Sequence, residues 1–419
     1  MNLRLCCRYL LLAGCCAYGA NGTAQTLAMS ETRLGQMPAT AAELSWQQPS
    51  QSASQQIRHE IDMALSEYGP YSPQLGQLYA SLGSQLQNEQ DHLSALGVFK
   101  SAMHVERINQ GLYSSSQEHI LDAMVRSALA LKDWQLADDF LHHWQWLADE
   151  HGSNGPDAYL RGVRSLAREH LNAFFGGNSL SSTAAELHIV KADYWFTTAV
   201  NSLEQHGQQD QSMLPWLQDI TLTAYYLSLM SAEKKRPIEP TKIDGEPDVL
   251  KSNLSQANFL MEQYRKGKDA IERMIEIHSQ EAQGDIHPQV EAEILLADWY
   301  QLYNRPESAK KQYNRAYDLL LSNLNYHQPG EEIVRMPVGL PEVESQRANK
   351  NALAQKIVIR YDVSWRGNAS NLTVLENPGI EVGEISDIKQ AILGRKYRPK
   401  LINGVATDAQ GVIEHFPIP

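Results

Sequence analysis

Few residues in this sequence have the types and spacing that metal or nucleophilic chemistry requires. His59-Glu60 begins like the zinc-protease pattern HExxH, but Met63 stands where the second histidine ligand would lie. His142 and His143 are adjacent, and adjacent side chains on a helix point about 100° apart, so they cannot share one ion. We interpret both histidines as surface or packing residues. The sequence also has no phosphate-binding loop and no nucleophile elbow. We predict no catalytic, metal-binding or cofactor-binding residue.

A dense basic cluster lies at residues 395–400, where the sequence reads Arg-Lys-Tyr-Arg-Pro-Lys. The whole chain is acidic, with a formal net charge of −13 from 36 basic and 49 acidic residues. A nucleic-acid-binding protein would normally present a basic face, so we predict no nucleic-acid partner. We assign the cluster a structural or protein-binding role, and contact with phospholipid or lipopolysaccharide remains the alternative.

The elements that position these residues begin after an apparent export signal. Arg4 and Arg8 precede a short apolar run at residues 9–20, and small residues before Ala24 form a cleavage pattern, so residues 1–24 are predicted to be a signal peptide. The run of about a dozen residues is too short for a permanent membrane span. Residues 12–15, Leu-Ala-Gly-Cys, also resemble a lipobox, so lipidation of Cys15 and outer-membrane anchoring remain open. All four cysteines lie in the first sixteen residues, which excludes disulfides from the rest of the chain.

The body of the chain is predicted to be a helical array. Residues 25–55 form a polar spacer, and residues 56–326 have apolar residues at helical spacing. Residues 79–102 and 293–316 repeat one pattern, in which a small residue on a first helix precedes an alanine and an aromatic residue on a second helix. This pattern resembles the tetratricopeptide repeat (TPR). A weaker copy covers residues 121–144, and four less regular helix candidates lie at 157–174, 184–206, 213–233 and 253–279.

The spacing has a physical reason. Gly83 and Ala297 are small because a partner helix is expected to cross there, and Phe99 and Tyr313 are expected to fill the wedge between the paired helices. The resemblance implies a groove lined by the outward positions of the first helices, where polar side chains could hold an extended peptide or a partner helix. The predicted groove residues are Gln77, Ser84, Gln87, Asn88, His119, Asp122, Arg126, Glu291, Asp298 and Gln301.

A different unit is predicted at the C-terminus. Residues 327–354 contain helix-breaking Pro and Gly and are interpreted as a linker. Residues 355–419 alternate apolar and polar positions around one short helix, which predicts a small α+β domain with a three-stranded antiparallel sheet. The fold class is therefore mostly α, a TPR-like solenoid followed by this domain.

The order of these C-terminal elements, with the aromatic-Arg-Pro segment after the helix, resembles the C-terminal domain of the TonB family. The resemblance implies a periplasmic domain that pairs with an outer-membrane receptor through an exposed strand edge. The chain lacks the transmembrane helix and the Pro-rich spacer of the family's energy transducers. The residues that the resemblance assigns to partner binding are Tyr397, Arg398, Pro399, Gly411, Val412, Ile413, Glu414 and Phe416.

These expectations combine into a periplasmic, non-enzymatic adaptor that binds envelope proteins and serves outer-membrane transport or envelope assembly. It would touch the membrane only through the lipid anchor at Cys15. The first alternative is a structural assembly factor or chaperone-like TPR protein in which the C-terminal domain is only a cap. An unrecognised envelope hydrolase is a distant alternative.

Overall fold

The computed structural model describes residues 53–151, 156–176, 183–235, 238, 256–281, 285–322, 336–340 and 356–417. The predicted signal peptide with Cys15, most of the polar spacer and most of the predicted linker lie outside these residues. The chain forms two compact units that divide between Gly162 and Val163. The predicted fold class is confirmed, because helices dominate the described residues and a small antiparallel sheet follows them.

The first unit is built from consecutive helices that pack as neighbours. Apolar positions at helical spacing form its core, and the ring of Phe99 lies against Gly83, where an added Cβ would come within 2.5 Å of the ring. The sequence prediction of a helix crossing at this glycine is therefore confirmed. The helices are α1 (Ala53–Tyr68), α2 (Pro73–Asn88), α3 (His92–Gln110), α4 (Glu118–Ala130), α5 (Trp134–His151) and the start of α6 (Pro156–Gly176), with a 3-10 turn at Ser115–Gln117.

One turn geometry recurs between paired helices. Gln90, Lys132 and Asn304 each follow a helix and have positive φ angles of 63°, 57° and 56°. In each turn the next residue donates its backbone N–H to a carbonyl in the last helical turn, as Asp91 does to Leu86 at 2.9 Å. This is the Schellman arrangement, which satisfies carbonyls that the helix end would otherwise leave unpaired.

The second unit continues with helices that also pack in sequence order. The carboxylate of Asp193 lies inside it and accepts hydrogen bonds from Lys266 at 2.7 Å and from Thr223 at 2.8 Å. Trp299 packs against Gly267, where an added Cβ would meet the indole ring at 2.2 Å. The helices are the remainder of α6, α7 (Thr183–Gln205), α8 (Leu214–Lys234), α9 (Gln256–Glu281), α10 (His287–Leu302) and α11 (Pro306–Ser322); α6 to α9 coincide with the four less regular candidates.

The second unit ends in the predicted α+β domain. Its three-stranded antiparallel sheet has the order β3-β2-β7, and α12 contributes Ile388 and Ile392 to the core beneath it. The elements are β1 (Val338–Gly339), β2 (Lys356–Val363), β3 (Ala369–Glu376), α12 (Val382–Gly394), β4 (Tyr397–Arg398), β5 (Lys400–Ile402), β6 (Val405–Thr407) and β7 (Ala409–Pro417).

This domain is not separate from the helices before it. Leu401 and Ala406, on the β5-β6 hairpin, belong to the same buried cluster as Ala297 and Tyr313 of α10 and α11. The predicted linker also takes part, because β1 lies within it and pairs with β4. No helix of the described residues is long and apolar enough to cross a membrane.

Candidate partner-binding surfaces

In the first unit, most predicted groove residues do lie at the surface. Their positions on α2 and α4 follow from the helical period, which buries the opposite face of each helix. Asp122 is half-buried and forms a salt bridge with Arg126 at 3.2 Å. The exposed members of the set are Gln77, Ser84, Asn88, His119 and Arg126.

Gln87 was predicted to face a partner, and the structure corrects this. Its side-chain amide donates to the carbonyl of Ala123 at 2.6 Å and contacts the hydroxyl of Ser127 at 2.7 Å. Gln87 therefore holds α2 to α4. A long polar side chain on the outward face can reach the next helix, which the pattern along one helix does not reveal.

In the second unit, two of the three predicted groove residues are buried. Glu291 is exposed, but Asp298 and Gln301 retain only 3% and 1% of their accessible surface. The prediction that these two residues line an open groove is therefore wrong. The C-terminal domain occupies this end of α10, and its residues bind both side chains.

The principal contact is a buried ion pair between Arg398 and Asp298. The guanidinium Nε lies 3.0 Å and 3.1 Å from the two carboxylate oxygens, and Nη2 binds one of them as well. The Tyr313 hydroxyl donates to the same carboxylate at 2.7 Å, and burial raises the pKa of Tyr313 well above its usual value. Asp298 thus has charge-assisted hydrogen bonds from both partners, as a buried carboxylate requires.

Further contacts surround this ion pair. The side-chain amide of Gln301 donates to the carbonyl of Trp365 at 3.2 Å. Lys396 donates to the side-chain oxygen of Asn304 at 3.1 Å. Gly404 has a φ of 75° and lies so close to Tyr317 that an added Cβ would meet its side chain at 2.5 Å. Arg398 and Lys396 of the basic cluster therefore form contacts within the protein.

The aromatic-Arg-Pro segment was predicted to bind a partner, and the structure places it inside the protein. Tyr397 and Pro399 are buried, and Arg398 is bound to Asp298. A linear motif does not reveal whether its side chains face a partner or an earlier part of the same chain. The pairing of Asp298 on α10 with Arg398 links the predicted groove to the predicted motif. These two residues lie far apart in the sequence, so only the three-dimensional structure shows that they meet.

Strand β7 does form an edge of the sheet, since it pairs with β2 on one side and no described strand lies on the other. Its side chains differ in role. Val412 is buried at 6% exposure and Phe416 packs partly on the core, whereas Ile413 is 51% exposed. Glu414 accepts a hydrogen bond from the Tyr361 hydroxyl. Val412 and Phe416 therefore hold the strand in place, and Ile413 is the apolar side chain that it offers to solvent.

Gly411 shapes the start of this edge. Its φ is 68°, and its N–H donates to the Asp362 carboxylate at 2.8 Å. The register shifts between Tyr361 and Val363, so the strand contains a β-bulge at this point. Only glycine adopts this conformation without steric cost. Gly411 therefore permits the bulge at the start of the edge.

The second unit also buries groups that titrate. Burial lowers the pKa of His170 to about 4, and a neighbouring acid only partly offsets this. His188 lies 3.0 Å away, measured between the two Nδ1 atoms, and burial followed by the charge of His170 lowers its pKa to about 4. Burial raises the pKa of Asp219 to about 6 against the opposing influence of Arg168. Within the described residues, these groups do not form a metal-binding cluster.

Sequence reasoning missed a second group of polar residues in the first unit. Arg107 and His143 lie close together on α3 and α5, which are the second helices of their pairs. The predicted groove lies on first helices alone, and the sequence predicts His143 to be a surface or packing residue. An arginine and a histidine on separate helices carry no joint signal in the sequence.

Comparison with known proteins adds little to this geometry. No protein-family model matches the chain, and no curated protein matches it. Among solved structures, the crystal structure of BtubC (BKLC) from P. vanneervenii is similar with 14% sequence identity, covering 66% of this chain and 91% of that one. The TM-score is 0.31, so this similarity bears on neither fold family nor function.

Proposed function

We propose that this protein is an exported, non-enzymatic scaffold of the envelope, which binds an outer-membrane protein by strand addition at β7 and other partners on its helices. The observation that carries the proposal is the side of β7 on which no described strand lies. Edge strands present unpaired N–H and C=O groups, and an added strand can pair with them. The proposed location in the periplasm rests on the export pattern at residues 1–24.

The contacts between the C-terminal domain and the last helical pair support a rigid platform. Arg398 and Asp298 fix β4 to α10, and the β5-β6 hairpin shares a core with α11. A docking strand in a domain that is held in this way loses little further freedom when it binds a partner, which favours affinity. The aromatic-Arg-Pro segment then supports the docking edge from within, and it does not contact the partner.

A second function is favoured by the same shared core. The end helices of a repeat array need a cover for their apolar surface, and terminal caps provide it. The β5-β6 hairpin covers this end of α10 and α11 with Leu401 and Ala406. If the domain is only a cap, the protein is a structural assembly factor that holds a client on its helices, and β7 has no partner.

In-cell photo-crosslinking separates these two functions. A photoreactive amino acid at Ile413 replaces an exposed side chain on β7, whereas the same change at buried Val412 would disturb the core. The matched control is Leu375, which is 44% exposed on β3 at the opposite edge. We expect Ile413 to capture an outer-membrane protein that Leu375 does not capture. If neither position captures one, strand addition is wrong and the cap interpretation is favoured.

A further inference from the structure

A cleft of about 330 Å³ lies in the first unit between α3, α4 and α5. Its volume is at the lower end of the range for small-ligand sites. Phe140, which is half-buried, lines it together with Met103, Leu121 and Met124, which form a floor that is at most 5% exposed. Methionine side chains are flexible and polarisable, so this lining can adapt to an apolar group of varied shape.

The rest of the lining is basic or neutral. Lys100, His104, Arg107 and His143 line the cleft, and none of the described residues that line it carries a carboxylate. The chain as a whole has a net charge of −13, so the charge of the cleft lining is opposite in sign to that of the whole chain. Basic groups around a concave apolar surface favour an anion with an apolar body.

Arg107 is held in place by neutral partners. Its Nε donates to the side-chain oxygen of Gln117 at 2.9 Å, and its Nη2 lies 3.0 Å from Nε2 of His143. Gln117 is fully buried and is itself fixed by hydrogen bonds to the carbonyls of Gly111 and Leu112. The guanidinium is therefore oriented before a ligand arrives, which reduces the entropy that binding costs.

The charge of Arg107 has no carboxylate partner in the described part of the chain. This distinguishes it from Arg398, which binds Asp298, and from Arg168, which binds Asp219. The neighbouring Glu106 accepts a hydrogen bond from Ser116 at 2.9 Å. A half-buried cation without a counter-charge is costly, and a bound anion would relieve that cost.

We propose that this cleft binds an organic carboxylate with an apolar body, with the carboxylate at Arg107 and the apolar body against Met103 and Met124. A planar carboxylate matches the geometry of a guanidinium, and the volume accommodates a body of one or two amino-acid side chains. The ligand is either a small free acid or the C-terminal residue of a polypeptide. This inference does not depend on strand addition at β7.

Fluorescence titration of the full chain tests the proposal. Trp146 is 42% exposed and its ring lies 6.0 Å from that of His143, so binding is followed by the change in total emission, and the same titration of a Trp146→Phe variant identifies the part of the change that comes from Trp146. The probes are 4-phenylbutanoate, N-acetyl-alanyl-phenylalanine and the C-terminal amide of the same dipeptide. We expect at least one carboxylate to bind and the amide to bind at least tenfold more weakly. Tighter binding of phenylbutanoate indicates a small free acid, and tighter binding of the dipeptide acid indicates a polypeptide terminus.

Two substitutions test the role of the charge. Arg107→Met should weaken carboxylate binding at least tenfold, whereas the matched control Arg58→Met, at an exposed arginine on α1 outside the cleft, should leave it unchanged. If Arg107→Met fails to fold, Lys100→Glu serves instead. Lys100 is exposed, and a carboxylate at the rim should weaken binding at least threefold. Absence of binding up to millimolar probe, equal binding of acid and amide, or unchanged binding in a folded Arg107→Met or Lys100→Glu variant would overturn the proposal.

Discussion

Replacing Arg398 by Met should destabilise the second unit strongly. Met preserves most of the length of the side chain but removes the charge and every hydrogen bond that Arg398 donates to Asp298, and only the bond from Tyr313 remains. The Asp298 side chain is 4% exposed and that of Arg398 is 13% exposed, so water cannot easily replace the lost partner. Removing one member of a buried ion pair typically costs about 3–5 kcal/mol, and the slight exposure of Arg398 favours the lower end.

The assay is urea unfolding combined with hydrogen exchange of α10 and of the β5-β6 hairpin. Arg398→Met should reduce the free energy of unfolding by about 3 kcal/mol and should increase exchange in both elements. The matched control is Arg126→Met, which breaks the exposed pair with Asp122 and should cost less than about 0.5 kcal/mol. If Arg398→Met costs no more than this control, the contact does not form in solution. Arg398 would then be free to bind a partner, as the sequence first suggested.

Three further substitutions test the packing and the buried histidines. Gly83→Ala should reduce the free energy of unfolding by about 1–3 kcal/mol because the new Cβ meets Phe99 within the core. The control Gly97→Ala, with open space around it, should stabilise its helix by about 0.5–1 kcal/mol. Thermal unfolding monitored by circular dichroism measures both effects, and equal shifts in the unfolding temperature would contradict the packing of Phe99 on Gly83. His170 has a folded pKa of about 4, below its unfolded value of about 6.5, so stability should fall as the pH decreases through this window, by at most roughly 3 kcal/mol. His170→Gln should reduce that slope in urea unfolding at pH 7 and pH 4.5, and an unchanged slope would exclude burial of the imidazole.

Much of the helical architecture could be predicted because its cause is local. A small residue at one position and an aromatic residue on the following helix report a close crossing, as Gly83 and Phe99 do. The three-stranded sheet was predictable for a similar reason, since alternation along the second half of β2 reveals one buried face. Periodicity within one element, or spacing across two consecutive elements, is enough for such features.

The contacts between distant elements could not be predicted in the same way. Asp298 and Gln301 occupy polar positions on an outward helix face, and such positions look the same whether water or another domain covers them. The β5-β6 hairpin has strands of three residues each, too short to show a period, so its packing on α11 left no signal. Asp298 and Gln301 of the predicted groove and the predicted motif were therefore assigned to two sites, although they lie in one intramolecular contact region.

The choice of the β7 residue for crosslinking also depends on information that the sequence does not contain, namely which side chains of the strand face solvent. The sequence placed Val412 on the docking edge, and the structure buries its side chain while it exposes that of Ile413. The β-bulge at Gly411 shifts the register of the strand relative to β2. A bulge of this kind changes which side chains face outward, and alternation read along a single strand does not locate it.

The most direct test of the proposed docking edge is the amount of outer-membrane protein recovered with the full chain from crosslinked cells. Ile413→Asp places a charge on the exposed position of β7, and Leu375→Asp places the same charge on β3 as the matched control. We predict at least a tenfold loss of the recovered protein with Ile413→Asp and no loss with Leu375→Asp. Equal recovery with both variants would contradict strand addition at β7.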